Sequence, residues 1–217
     1  MDFYEIIEYI AYFSAFSIIL PLILIILIIK RITEKQYKIL FVYLLSGFIT
    51  EIVSLLFKSN NNIRSIILSL YVILEISLIC KLYLFQFNQS IIRFTIKLFW
   101  LLILTVSILI YIFNENYFDV FLFLHPIQNA VIIIIGFIYL YSIINKSVSI
   151  NFFKDYFFWI NIAFIIYFGS QFLINLGMQH IDTSIKSNIY ILGFLHIILN
   201  ILYNILLAIG IYKIKRV

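Results

Sequence analysis

The sequence predicts an all-α fold, a polytopic transmembrane bundle of about seven helices that forms one domain over residues 1–217. Composition is the first observation: 65% of the residues are hydrophobic and 12% are charged, whereas soluble domains carry about 25% charged residues. The second is a set of seven apolar stretches, each with the roughly 20 residues that a helix needs to cross the hydrocarbon. The third is that residues 22–29 do not alternate as a barrel strand would.

The spans follow one another with short joints that are charged or rich in Asn. In chain order we predict them at about 7–29, 37–57, 63–86, 93–113, 117–142, 152–176 and 187–212. The first stretch begins with Asp2, Glu5 and Glu8, whereas a cleavable signal begins with positive charge, so we expect the first helix to be retained. The joints leave no room for a soluble domain, so any site must lie within the bundle or on its rim.

Basic residues accumulate on one side of this topology. Twelve of the 15 Lys and Arg residues fall on the side of the carboxyl terminus, and three, Lys58, Arg64 and Lys186, on the other. Because cytoplasmic loops hold the excess of positive charge, we predict the amino terminus outside and the carboxyl terminus cytoplasmic. This bias also accounts for the net charge of +5. With no basic patch interleaved with aromatic residues, we predict no nucleic-acid partner.

Polar side chains inside the spans are the candidate site residues, because an ionisable group in hydrocarbon costs at least a few kcal/mol. Two acids lie within spans, Glu51 in the second and Glu75 in the third. At a rise of about 1.5 Å per residue, they lie roughly 9 and 18 Å from the outer ends of their helices. The predicted ligand-binding residues are Glu51, Glu75, His125, Asn129, Gln171, Asn175, His196 and Asn200.

Several of these residues recur at intervals of four, and residues four apart share one helix face. The pairs are His125 and Asn129, Gln171 and Asn175, and His196 and Asn200. We therefore expect a polar cavity that opens to the outside, lined by the second, third, fifth, sixth and seventh spans, with Pro126 loosening the fifth. The alternative is structural, because amide and imidazole side chains hydrogen-bond across membrane helices. We favour it for Gln128, Asn161 and Asn204.

Enzymatic chemistry finds little support. A retinal protein needs a Schiff-base lysine within its last helix, and none lies between Lys186 and Lys213. The three histidines contain no pair four apart of the kind that a zinc hydrolase needs. Ser170 and His196 suggest a rhomboid-like serine–histidine dyad, but a Gly-x-Ser-Gly motif is absent. We predict no metal and no cofactor, and the sequence favours a non-enzymatic role.

Four segments resemble small seven-helix inner-membrane proteins of Bacteroidota, a functionally uncharacterised family. They are 40–57 with Glu51, 71–84 with Glu75, 158–172, and 195–212 with His196 and Asn200. In layout this family is similar to the seven-helix sensor regions that are fused to bacterial histidine kinases. The resemblance implies a multi-pass protein of the bacterial inner membrane and no catalytic residue. Because the chain has no kinase domain, signalling would require a separate partner protein.

Two main functional hypotheses follow from these patterns. The first is a ligand-binding sensor or accessory subunit whose outward pocket is read by helix movement at the cytoplasmic face. The second is a small proton-coupled transporter or permease that uses Glu51 and Glu75. Transport needs polar residues through the inner half as well, and these are few, so binding is favoured. A structural subunit of an envelope complex is the third hypothesis. In each case the lipid bilayer is a partner.

Overall fold

A computed structural model describes residues 3–29, 34–57, 60–113, 117–146, 152–180 and 186–214. These residues form eight α-helices and one short 3₁₀ helix, Phe152–Lys154. The α-helices are α1 Phe3–Phe16, α2 Ile19–Ile29, α3 Lys35–Leu56, α4 Asn61–Gln86, α5 Ser90–Phe113, α6 Tyr117–Lys146, α7 Tyr156–His180 and α8 Lys186–Ile214.

Seven helical segments within the described residues are long and apolar enough to cross a membrane, counting α1 and α2 together. They are Tyr9–Ile29, Lys35–Leu56, Ile63–Gln86, Ser90–Leu109, Leu124–Asn145, Tyr156–Gly177 and Ile191–Ile214. The predicted all-α architecture with seven spans is therefore confirmed, as expected for a multi-pass membrane protein. The orientation of the termini stays a prediction.

Local sequence explains where several helices begin. The Asn60 side chain accepts a hydrogen bond from the backbone N–H of Ile63 at 3.2 Å and so caps α4. Asp155 Oδ1 accepts one from the N–H of Phe157 at 2.9 Å, at the start of α7. Both caps satisfy amide groups that have no partner within the first helical turn.

The first span is broken between α1 and α2, close to Pro21. A proline within a helix cannot donate to the carbonyl four residues back, and its ring clashes with that carbonyl. The carbonyl in question belongs to Ser17, which instead accepts from the N–H of Leu20 at 3.2 Å. Pro126 lies inside α6, which nevertheless continues through it. The break in the first span was not predicted.

Six elements form a closed order of neighbours. Helix α2 packs against α3, and the order continues through α4, α6, α7 and α8 back to α2. Helix α5 packs on α4 and α6, and only 17% of its most apolar stretch is buried, against 44% for α4 and α7. Helix α5 is therefore peripheral. Many exposed side chains on the outer faces are large and apolar, as on α5 with Ile91 and Phe94, and suit contact with lipid.

An aromatic cluster fills the bundle near the end of α4 and the start of α7. Tyr83 lies at its centre and packs edge-on against Phe157 and Tyr139, with ring centroids 5.4 and 6.2 Å apart. Phe164 and Phe87 extend the cluster. All five side chains are at most 3% exposed, so this part of the bundle is densely packed.

Helices α7 and α8 approach closely at Gly210. A Cβ atom at this position would lie 2.8 Å from Ile160 Cγ1 and 3.0 Å from the backbone oxygen of Tyr156. Small residues commonly permit such contacts between membrane helices. At Gly193, in the same helix, an added Cβ would meet nothing within 4 Å.

We expect Gly210→Ala to lower the free energy of unfolding by about 1–3 kcal/mol, because the added methyl group overpacks this contact. Gly193→Ala should leave it unchanged or raise it by about 0.5–1 kcal/mol, since Ala favours the helix. Reversible unfolding from mixed micelles by sodium dodecyl sulfate measures both. Equal stability of the two variants would contradict the close approach of α7 and α8.

Pro21→Ala restores the missing N–H, so we expect the first span to become one continuous helix. The distance between spin labels at Tyr9 and Leu56, both exposed, should change by about 6 Å. This is the displacement that removing a kink of about 20° produces at the end of an arm of about 18 Å. A Leu56–Leu202 label pair, outside α1, is the control. An unchanged Tyr9–Leu56 distance would show that side-chain contacts alone maintain the break.

Candidate functional site

A cavity of about 280 Å³ lies between α1, α3, α4 and α8. Its walls combine small, charged and amide side chains. The lining residues are Ala11, Tyr12, Ser14, Ala15, Glu51, Ser54, Leu55, Arg64, His196, Ile197 and Asn200. The cavity lies at the end of the bundle where α3 ends and α4 begins.

The break in the first span accounts for the position of this cavity. Helix α2 packs against both α3 and α8, whereas α1 packs mainly against α8. On the α1 side of the break, the first span therefore no longer packs against α3. The space between α1 and α3 forms the cavity. Ala11 and Ala15, four residues apart on α1, present only methyl groups to it, which keeps this space open.

Two opposite charges line the cavity. Glu51 comes from α3 and Arg64 from the first turn of α4. Arg64 Nε donates to Ser54 Oγ at 3.0 Å. This bond anchors the guanidinium to the same face of α3 that carries Glu51, three residues earlier. Within the described residues, Glu51 and Arg64 line one cavity without forming a salt bridge to each other.

His196 and Asn200 form the α8 wall. Gln171 Nε2 lies 2.5 Å from His196 Nδ1, and because an amide nitrogen only donates, Nδ1 accepts and the ring proton is on Nε2. Asn200 Nδ2 donates to Ser14 Oγ at 3.0 Å and to the Ser14 carbonyl at 3.3 Å. Asn200 thus binds α1 to α8, and its Oδ1 accepts no hydrogen bond from the residues that the structure describes.

A second polar cluster surrounds Glu75 and is separate from the residues that line the cavity. The carboxyl group is 5% exposed. Tyr71 donates to Oε1 at 3.0 Å, Tyr43 to the same oxygen at 3.4 Å, and Gln128 Nε2 to Oε2 at 2.7 Å. The Tyr43 hydroxyl also hydrogen-bonds that of Tyr203. The cluster therefore connects α3, α4, α6 and α8 through neutral donors.

The remaining predicted residues contact one another or are buried. Asn175 Nδ2 lies 2.9 Å from His125 Nδ1, between α7 and α6. Asn129 is fully buried, and neither of its amide atoms has a hydrogen-bond partner among the described residues. Gln171 is 4% exposed and orients His196.

The predicted lining by five spans differs from the observed cavity. Glu51, His196 and Asn200 line it, together with residues of the first span, which was not expected there. The fifth and sixth spans contribute no lining residue. His125 and Asn175 bond each other, Gln128 bonds Glu75, and Gln171 bonds His196 from behind the α8 wall. A ligand-binding role for each of the eight residues stays a prediction.

Two residues expected to be structural do connect helices. Asn204 Nδ2 donates to Ser17 Oγ at 2.7 Å, at the break of the first span. Asn161 accepts from the Tyr83 hydroxyl at 2.5 Å and donates to the carbonyl of Gly136 at 3.3 Å. These bonds agree with the structural interpretation of both amides.

Sequence reasoning missed Arg64 and Ser54 at the cavity and the tyrosines at Glu75. Arg64 was counted only as a charge at the outer ends of the spans. Tyr71 lies four residues before Glu75 and therefore on the same helix face, and a hydroxyl within a span needs a partner. That spacing was a usable signal.

The enzymatic alternatives gain no geometric support. Ser170 Oγ donates to the carbonyl of Tyr167 at 2.7 Å in its own helix, while His196 Nδ1 is taken by Gln171. These two residues are therefore not arranged as a serine–histidine dyad. Among the described residues, no group of three or more His, Cys, Asp or Glu side chains is placed to hold a metal ion.

We expect Glu75→Leu to lower the free energy of unfolding by at least about 2 kcal/mol, because the Tyr71 hydroxyl and the Gln128 amide lose their acceptor while buried. Glu75→Gln is the matched control and should stay within about 1 kcal/mol of the natural protein. Gln128 Oε1 has no partner in the described part of the chain, so rotation of its amide lets it accept from the new glutamine. Unfolding in sodium dodecyl sulfate measures both variants. A fully stable Glu75→Leu protein would contradict a structural contribution of this cluster.

Comparison with known proteins gives this chain no relative. No protein-family model matches it, and neither a curated protein nor a solved structure matches at a significant level. The resemblance of four segments to the Bacteroidota proteins therefore stays a prediction. The functional interpretation rests on the cavity and on the residues around it.

Proposed function

We propose that this protein binds a small polar molecule in the cavity between α1, α3, α4 and α8 and acts as a sensor or accessory subunit. We place it in the bacterial inner membrane with the cavity open to the outer face. The observation that carries the proposal is the cavity itself, where Glu51 and Arg64 line one space and interact electrostatically, while no salt bridge joins them in the part of the chain that the structure describes. Charged groups are costly to keep near hydrocarbon, so two charges that line one space without bonding directly to each other favour a binding role.

The orientation follows from the positive-inside rule. The cavity is at the end of the bundle where α3 ends and α4 begins, and this side carries three of the 15 basic residues. Cytoplasmic sides hold the excess of Lys and Arg. The cavity is thus accessible to molecules outside the cell.

Binding is favoured over transport by the packing of the opposite half. Transport by alternating access needs a site that can open to both sides. Beyond Glu75, the bundle is filled by the aromatic cluster, and Tyr83, Phe157 and Phe164 are at most 1% exposed. A permease would have to separate these rings, whereas a sensor can keep them packed.

The first span can transmit the binding of a ligand in the cavity to the rest of the bundle. Helix α1 forms one wall of the cavity, and it is joined to α2 by the two residues of the break. A ligand that draws α1 towards α3 changes the angle between α1 and α2. A separate signalling protein at the cytoplasmic face would read this change through α2.

Cysteine labelling tests access to the cavity. In a Cys80→Ala background, which removes the one native thiol, we expect Ala15→Cys to react in spheroplasts with a membrane-impermeant methanethiosulfonate. Glu34→Cys, exposed at the other end, should react only after permeabilisation. Ala163→Cys, at a fully buried position, should react only after denaturation.

Two results would contradict the proposal. Ala15→Cys that reacts only after denaturation would mean that water does not reach the cavity. Ala15→Cys that reacts only after permeabilisation would mean that the cavity opens to the cytoplasm.

A further inference from the structure

Both charged side chains at the cavity, Glu51 and Arg64, can form further hydrogen bonds. Glu51 makes no hydrogen bond to any residue in the described ranges, and Arg64 uses only Nε, towards Ser54. The two Nη groups of Arg64 therefore make no hydrogen bond to those residues, although the guanidinium interacts electrostatically with Glu51. A guanidinium donates most strongly to a carboxylate or a phosphate, and a carboxylate accepts most strongly from an ammonium or guanidinium group.

Two neutral side chains that also line the cavity add one hydrogen-bond donor and one acceptor. His196 presents its Nε2–H, since Nδ1 accepts from Gln171. Asn200 has Oδ1 available, since Nδ2 donates to Ser14. The residues that line the cavity thus include two with acceptor capacity, Glu51 and Asn200, and two with donor capacity, Arg64 and His196.

We propose that the cavity binds a zwitterion that carries a primary ammonium group and an anionic group a few bonds apart. The proposal rests on the proposed function. The ammonium group is held by Glu51 with Asn200 Oδ1, and the anionic group by Arg64. A ligand with a single charge would leave the opposite charge of the cavity without a partner, which costs free energy in a partly desolvated site.

The size of the cavity limits the ligand. Ligand pockets commonly enclose about 300–1,000 Å³, and a cavity of about 280 Å³ is at the lower end. It suits a molecule as small as an α-amino acid or an equally small headgroup. Because α1 carries exposed aromatic residues such as Tyr9 and Phe13 on its lipid-facing side, the headgroup of an aminophospholipid is a second source of this chemistry.

Free amino acids are tested in bilayers without amine lipids. The protein, in phosphatidylglycerol nanodiscs, is titrated with glycine, alanine and serine, and protection of Ala15→Cys from the thiol reagent is measured. We expect at least one of them to protect at a concentration at least tenfold lower than ethanolamine or acetate, which each carry one of the two charges.

Lipids are tested by native mass spectrometry from nanodiscs that contain equal amounts of phosphatidylethanolamine, phosphatidylcholine and phosphatidylglycerol. If the source is a lipid, phosphatidylethanolamine is retained preferentially. Phosphatidylcholine has the same charges but no ammonium N–H, so it is the matched control for hydrogen bonding to Glu51.

Substitutions of Glu51 and Arg64 test whether the binding of either ligand depends on these two charges. Glu51→Gln and Arg64→Gln should each weaken binding of the active zwitterion about tenfold or more, while Arg93→Gln, exposed at the start of α5, should not change it. The zwitterion is overturned if neither the amino acids nor phosphatidylethanolamine bind in preference to their controls. It is also overturned if binding is unchanged in both Glu51→Gln and Arg64→Gln. If Ala15→Cys is labelled, no amino acid protects it and phosphatidylethanolamine is not retained preferentially, the zwitterion alone is overturned and the accessible cavity stands.

Discussion

The missing backbone donor of Pro21 determines the shape of the cavity end of the bundle. Because Pro21 cannot bond the carbonyl of Ser17, the first span divides into α1 and α2. In lipid the groups released by such a break must find partners within the protein. Ser17 Oγ donates to the Ser14 carbonyl at 2.6 Å and accepts from Asn204. The break is therefore satisfied by side chains of α8, and the cavity is its geometric consequence.

The seven spans were predictable because apolar length is a property of contiguous sequence. The break was not, although Pro21 was visible. Pro126 also lies in a helix that is apolar enough to cross a membrane, and that helix continues through it, so a proline alone does not decide between a break and a continuous helix. The break beside Pro21 is accompanied by hydrogen bonds from Asn200 to Ser14 and from Asn204 to Ser17, across 186 and 187 positions of the chain, and such pairings cannot be read from local pattern.

The candidate site was predictable to a similar degree. Spacing by four identified the polar faces of the helices, but it did not show which neighbour each face meets. His125 and Asn175 are joined by a hydrogen bond between α6 and α7, whereas Glu51 accepts no hydrogen bond among the described residues and lines the cavity. Glu75 differs again, because the hydroxyl groups of tyrosines donate hydrogen bonds to it. A hydropathy profile does not distinguish such tyrosines from other aromatic residues of a span. The residues predicted to form one pocket therefore lie in different places: some line the cavity, and Glu75 belongs to a buried hydrogen-bond network.

The residues that hold the break also form part of the cavity wall, and this gives binding a direct mechanical consequence. Ser14 and Asn200 both line the cavity, and the hydrogen bonds between them join α1 to α8. A ligand that occupies Asn200 Oδ1 acts on the same side chain whose Nδ2 positions α1. A ligand can shift a conformational equilibrium only by its difference in affinity for the two states. For the ligand that we propose, that difference would arise from its contacts with α1 on one side of the cavity and with α3, α4 and α8 on the others, so we infer that the break beside Pro21 is the element whose equilibrium binding would bias.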